Sequence, residues 1–281
     1  MAGESAAREN ARGDLLKVGV AGLGAVGLDV ARRLEAGIAG LALAAVSARD
    51  HDKARRNLRN AGTRIAIVAP EALAQSCDVV VECLPPKMFR AVAESALGHG
   101  RIFMPLSVGQ LLENWDLVDL ARASGARIVV PTGALVGLDA VRAAAEGEIR
   151  SVTMVTRKPP GGLEGAPYLV EHGISVKGLN AAKKVFDGTA REGARGFPAN
   201  VNVAAALSLA GIGPDKTRLE IWADPGLTRN THRIEVDADS ARFSMSIENV
   251  PSAENPRTGK ITALSAVAAL RGLVAELKIG T

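Results

Sequence analysis

The stretch GLGAVG places glycine at 22, 24 and 27, directly after an apolar run (KVGVAG, 17–22) and directly before an amphipathic one (AVGLDVARRLEAG, 25–37). That spacing serves an anion. Gly22 makes a tight turn, Gly24 leaves the backbone bare where a pyrophosphate would approach, and Gly27 lets a helix pack closely on a strand. The residues Ala25, Val26 and Gly27 then bring their amides to the phosphate at the helix start. A glycine triplet alone is a weak signal, and a purely structural turn is its plain alternative. The strand before it, the helix after it and a second apolar run, LALAAVS at 41–47, favour a dinucleotide.

The end of that second run bears on the choice of dinucleotide. An NAD site usually presents Asp or Glu there to the ribose hydroxyls, whereas VSARD offers Ser47 and Arg49, a small hydroxyl and a guanidinium that suit a 2′-phosphate. NADP, or use of both NAD and NADP, is therefore expected. The other reading leaves Arg49 in solvent at a helix start and gives the ribose to Asp50.

For proton transfer the chain has four histidines. His51 and His99 fall at helix ends, and His172 falls in a glycine-rich connection, GGLEGAPYLVEHG, read as a loop. His232 differs: in NTHRIEV, the period of two sets Asn230, His232, Ile234 and Val236 on one strand face. On residue type alone it is either a packed core histidine or an acid/base group. Cys83, at the end of the strand DVVVECL, could attack an aldehyde or be a small buried hydrophobe. Its neighbour Glu82 could touch a nicotinamide or cap a helix. The segment TRKPP, 156–160, brings two cations to a strand end, for a substrate carboxylate or for solvent. No cluster has metal-ligand spacing, so no metal is expected.

These residues need a scaffold, and 281 residues suffice for two domains. Short, continuously apolar strands alternate with helices up to RIVV at 127–130, which indicates a parallel sheet covered on both faces. Beyond it the strands at 148–158, 217–224, 230–236 and 241–250 are longer and alternate, as in a sheet with one solvated face. The expected fold is α/β: a Rossmann-type dinucleotide-binding domain plus a second α/β domain with a mostly antiparallel open sheet. Residues 1–14 read as a flexible extension and 15–131 as the first domain, completed by a helix at 258–277; residues 132–257 form the second domain. One helix-like segment spans 108–125. A near balance of 34 Lys+Arg against 30 Asp+Glu with only 3% aromatics argues against nucleic acid. No apolar run is long enough for a membrane span, and two cysteines without a partner motif suit a reducing, cytoplasmic setting.

Several strings resemble, in order and spacing, those of the L-aspartate dehydrogenase family: RIVVPTGALVGLDAV, VTRKPP, FPANVNVAAALSLAG, WADPGLTRNTHRIEV and ENVPSAENPRTGKITALSAVAAL. The resemblance runs from about Leu15 to Leu273. It implies NAD(P)-dependent interconversion of L-aspartate with iminoaspartate, which hydrolyses to oxaloacetate and ammonia and can feed NAD biosynthesis. By motif, the family's catalytic histidine falls on His232, and cofactor contacts fall on Ala134 and Asn202. Asn200, in the same FPANVN string, is a candidate for the substrate or a helix cap. Ser47, Arg49 and the long stretch around His172 depart from the family pattern. The expected partners are small molecules and a second copy of the chain. Two other functions fit the residues: a dehydrogenase of another amino or oxo acid, or of a semialdehyde through Cys83; and a non-catalytic NADP-binding regulator.

Overall fold

The computed structural model describes residues 15–58, 65–198, 201–252 and 258–280. The extension expected at 1–14 lies outside them. The chain forms two compact units. One comprises the described residues up to Ser107 with Asn114–Pro131 and Ala263–Lys278; the other comprises Val108–Glu113 and the described residues of 132–262, with the end of the chain.

The first unit alternates β1 (Leu16–Ala21), α1 (Ala25–Glu35), β2 (Leu41–Ser47), α2 (His51–Asn57), β3 (Ala66–Ile67), β4 (Val79–Glu82), α3 (Phe89–Gly98) and β5 (Ile102–Pro105). Its strands pair in parallel in the order β3-β2-β1-β4-β5-β6, where β6 is the short strand Arg127–Ile128. The chain builds outward from β1 to β2 and then returns to place β4 on its other side. The glycine turn that ends β1 therefore sits where the strand order reverses, the place at which open α/β sheets hold their ligands. Val18, Val20, Val79, Val81 and Met104 are fully buried, which is why these strands carry no polar alternation.

The segment 108–125, expected as one helix, is two: α4 (Val108–Glu113) and α5 (Asp116–Ser124). Asp116 and Asp119 fill the first turn of α5, a charge pattern that suits a helix beginning there. α4 packs with the second unit, its Gly109 amide held by Asn202 from that unit.

The second unit contains α6 (Leu138–Ala144), β7 (Ile149–Lys158), α7 (Pro167–Glu171), β8 (Lys183–Thr189), α8 (Ala190–Gly196), α9 (Asn202–Ala210), β9 (Arg218–Ala223), β10 (Thr231–Ala238) and β11 (Arg242–Glu248). The sheet order is β11-β10-β7-β9-β8. Every neighbouring pair is antiparallel except β7 with β9, between which the chain makes its helical return. The last helix, α10 (Ile261–Gly272), is shorter at both ends than the run 258–277 suggested. Its Ala263, Ala266, Val267 and Leu270 belong to the core of the first unit, with Val18, Val20, Val30 and Leu34.

Candidate active site

In the first unit the glycine turn carries the conformation its composition predicts. Gly22 has φ +94°, and its amide donates to the Ser47 carbonyl at 3.0 Å. A Cβ there would lie 2.8 Å from the carbonyl oxygen of Cys83, and one on Gly27 would collide with the carbonyl oxygen of Gly22. Gly24 is different: a Cβ would meet no atom within 4 Å. The turn thus leaves space over Gly24, while α1 begins with neither a side-chain cap nor an acidic residue in its first turn. Bare amides at Ala25, Val26 and Gly27 beside open space are what a pyrophosphate requires, so the residues present fit a dinucleotide.

At the end of β2, Ser47 is buried and Arg49 is exposed. Asp50 already has an employment: its side chain caps α2 by accepting the Lys53 amide at 2.8 Å. At the end of β4, Glu82 is fully buried. It accepts from the Leu84 amide (2.7 Å), the Ser107 amide (3.1 Å) and the Ser107 hydroxyl (3.1 Å). Burial nevertheless pushes its carboxyl above the ordinary range, against those bonds. Of the two uses open to Glu82, the contacts are those of a cap on turns. Burial, and next the Glu82 charge, push the Cys83 thiol well up, so at neutral pH it stays protonated and is a poor nucleophile.

In the second unit the strand register builds a polar patch into an apolar face. β10 alternates so that His232, Ile234, Val236 and Ala238 are buried. Opposite them on β7 stand Thr156, Met154 and Val152 in turn, and Lys158 follows Thr156 on the same face. The Thr156 hydroxyl and His232 Nδ1 are hydrogen-bonded at 3.1 Å, which fixes the ring and leaves Nε2 as its other polar atom. Only 3% of His232 is exposed. Burial, and after it the charge of Lys158, hold its pKa down to about 3, so the ring is neutral. Lys158 itself is held by burial at about 8.

Ala134 lies in the turn that follows Pro131, and its carbonyl accepts from Asn249 Nδ2 at 3.1 Å. The Asn249 amide in turn donates to the Asn230 carbonyl, two residues before His232. One buried asparagine therefore ties the Ala134 turn to the root of the His232 strand. Asn202 opens α9 and its Oδ1 accepts the Gly109 amide at 3.0 Å. Asn200 lies outside the described residues. His51 starts α2 and His99 ends α3, both exposed. The stretch read as a loop around His172 holds α7, with the His172 ring stacked on Tyr168 at 3.9 Å between centroids. Among the described residues no group of three or more His, Cys, Asp or Glu could hold a metal, and no helix is long and apolar enough to cross a membrane.

Residues 139–273 match the family model described as aspartate dehydrogenase, C-terminal, and residues 22–131 match that of the homoserine dehydrogenase NAD binding domain. An L-aspartate dehydrogenase of Bradyrhizobium diazoefficiens is 56% identical over 266 residues, which is 95% of this chain and 94% of that protein. The chain belongs to the L-aspartate dehydrogenase family. Another member, L-aspartate dehydrogenase 3 of Bordetella bronchiseptica, is 51% identical over 95% of this chain and 98% of its own. The crystal structure of aspartate dehydrogenase from Thermotoga maritima shares the fold, with a TM-score of 0.73 at 22% identity, covering 95% of this chain and all 100% of that one.

The site residues read from sequence fall into two groups. Gly22, Gly24, Ala25, Val26, Gly27 and Arg49 lie in the first unit; Ala134, Asn202 and His232 lie in the second, where Asn249 links the Ala134 turn to the start of the His232 strand. Thr156 and Asn249 were not singled out in the sequence. Thr156 had one local signal, a hydroxyl among the buried positions of β7, whereas Asn249 follows the end of β11 and had none.

Proposed function

We propose that this protein interconverts L-aspartate and iminoaspartate with NAD or NADP, the imine hydrolysing to oxaloacetate and ammonia. The observation that carries the reading is His232: a buried imidazole, hydrogen-bonded to Thr156 and kept neutral, in a chain of this family. A bound nicotinamide would supply the oxidation, as acceptor of a hydride from C2 of the amino acid. His232 serves as general base toward the water that adds to the imine carbon, and returns that proton to the departing ammonia. Thr156 holds the ring in the orientation for both transfers.

The glycine turn and the amides of Ala25, Val26 and Gly27 would hold the pyrophosphate, and Ala134 and Asn202 are the residues that would contact the nicotinamide half. With its Oδ1 engaged by Gly109, Asn202 keeps its Nδ2 donors for that contact. Arg49 is exposed and Asp50 is committed to α2, an arrangement that favours a 2′-phosphate and hence NADP or dual use. Asn200 is the candidate contact to the substrate. The working form is a cytoplasmic homodimer, joined through the exposed side of the second sheet, and its imine product is suited to feed NAD biosynthesis. The protonated Cys83 thiol speaks against a semialdehyde route.

Mixing the purified protein with oxaloacetate, ammonium and either NADH or NADPH tests the reading. Ammonium-dependent loss of the reduced-nicotinamide absorbance is expected, with the NADPH rate at least matching the NADH rate. Binding without turnover would leave a regulator in its place. His232→Ala should lower turnover by roughly two to four orders of magnitude and leave cofactor binding intact; wild-type turnover would remove His232 from the mechanism.

A further inference from the structure

Asn249 follows the last residue of β11 and carries that strand's pairing one step further, its backbone amide donating to the Asn230 carbonyl at 2.9 Å. By the period of two it falls on the face of Phe243, Met245 and Ile247, and Ile247 is the register partner of His232. The turn that holds Ala134 is fastened to this strand at two points. Asn249 Nδ2 donates to the Ala134 carbonyl at 3.1 Å, and Met245 lies so close over Gly137 that a Cβ there would collide with its sulfur. Gly133 and Gly137, with φ of +64° and +69°, give the turn its course, and β11 fixes its place.

The Asn249 side chain does this at a cost in stability. Only 3% of the residue is exposed, and among the described residues its Oδ1 is the one buried side-chain oxygen or nitrogen with no hydrogen-bond partner. Turning the amide over brings no relief, because it would set Oδ1 against the Ala134 carbonyl oxygen and lose the bond. Gly259 is buried against Oδ1, where a Cβ would stand 2.7 Å away, and backbone bonds from Ser252 to Thr258 and from Lys260 to Val250, both 2.8 Å, hold Gly259 in place. A leucine has nearly the same shape and no orphaned acceptor, so packing alone does not account for an amide at this position. What the amide adds is a donor, and it is directed at Ala134.

Resting on the reading of Ala134 and His232 given above, we propose that Asn249 is a positioning residue: it fixes the Ala134 turn, and with it the place offered to the nicotinamide half of the cofactor, relative to the imidazole of His232. Turn and imidazole are both referenced to one pair of strands, since Asn249 extends β11 and His232 lies on β10. Reacting groups must be held closely in register, and a misplacement of about 1 Å can cost a factor of about 100 in rate. One amide, anchored beside the neighbouring strand, prevents a drift of that size.

The test compares two ligands on the full chain by calorimetry: NADH, and ADP-ribose, which has the adenine, pyrophosphate and ribose but lacks the nicotinamide. In Asn249→Leu and Asn249→Asp, NADH should bind roughly 2- to 12-fold more weakly, the equivalent of one lost neutral hydrogen bond, while ADP-ribose binds as in the wild type. Turnover, kcat, should fall roughly 10- to 100-fold with little change in the KM for aspartate. Asn249→Leu should keep the melting temperature, because it discards the orphaned acceptor together with the donor. Gly259→Ala leaves Asn249 in the chain and presses on its Oδ1; it should reproduce the same split between the two ligands, and it decides the question should a variant at 249 fail to fold. A wild-type NADH affinity or a wild-type kcat in these variants would overturn the proposal, as would equal losses for NADH and ADP-ribose, which mark a merely structural role. Should the wild type bind NADH but leave aspartate untouched, the dehydrogenase reading falls instead, and the two-ligand comparison still decides the role of Asn249.

Discussion

A neutral imidazole and a buried ammonium leave a thermodynamic trace of their own. The folded chain holds His232 at about 3 against 6.5 for an ordinary histidine, so between those values the unfolded chain carries a proton that the folded one refuses. Stability must fall as pH drops through that window, by at most about 1.4 kcal/mol per pH unit for this one group. Lys158 acts in a second window, from about 8 to 10.5, where the unfolded chain keeps a proton that the folded chain has released; stability rises with pH there. Paired carboxylates such as Asp187 and Asp215, held below the usual range by Lys184 and Arg191, lose their contribution only as pH falls through their own lower pKa values. Urea unfolding at pH 5 and pH 6.5 samples the histidine window, where the raised Glu82 carboxyl acts in the opposite direction, so the histidine's share is read by comparing a variant with the parent chain. His232→Gln should flatten the dependence, and an unchanged slope would mean that the ring is solvated. The face on which His232 lies was legible from the period of two in its own strand. Its neighbours Thr156 and Lys158 lie 76 and 74 residues earlier, and only strand pairing brings them near, which no local pattern encodes.

At the level of the turn between β1 and α1, two glycines that look alike in sequence have separate duties. Gly27 is needed for the polypeptide to fold back on itself, since a Cβ would strike the Gly22 carbonyl; Gly24 faces space. Gly27→Ala should lower the melting temperature, whereas Gly24→Ala should leave melting unchanged and weaken NADH binding, read by fluorescence titration. Equal melting losses in both would show that Gly24 is also structural. The bounds of β1, α1 and β2 could be read from sequence to within about two residues because glycine placement and continuous apolarity are local signals. β8 could not. Its KKVFDGT opens with two lysines and holds a glycine, and its strand state comes from pairing with β9. The break between α4 and α5 was hidden for a related reason: LLENWDLVDL keeps a helical period across a join that Asn114 and Trp115 interrupt. Asn249 was hidden because its use, holding the Ala134 turn, spans 115 residues.

The whole molecule is not assembled in the order in which it is written. The core of the first unit draws on β1, α1, β2 and β4 from the start of the chain and on α10 from its other end. Leu270 is fully buried there, and Leu270→Ala should cost about 2–5 kcal/mol of unfolding free energy; a loss below about 1 kcal/mol in a urea melt would mean that α10 is not seated in that core. A ribosome delivers the parallel sheet early and α10 only after the entire second unit. Until then the nascent first unit displays the apolar surface that Ala263, Ala266, Val267 and Leu270 will cover. That interval is when a chaperone is needed, and a message broken before codon 263 yields a sheet-forming but sticky product destined for proteolysis rather than a smaller working protein.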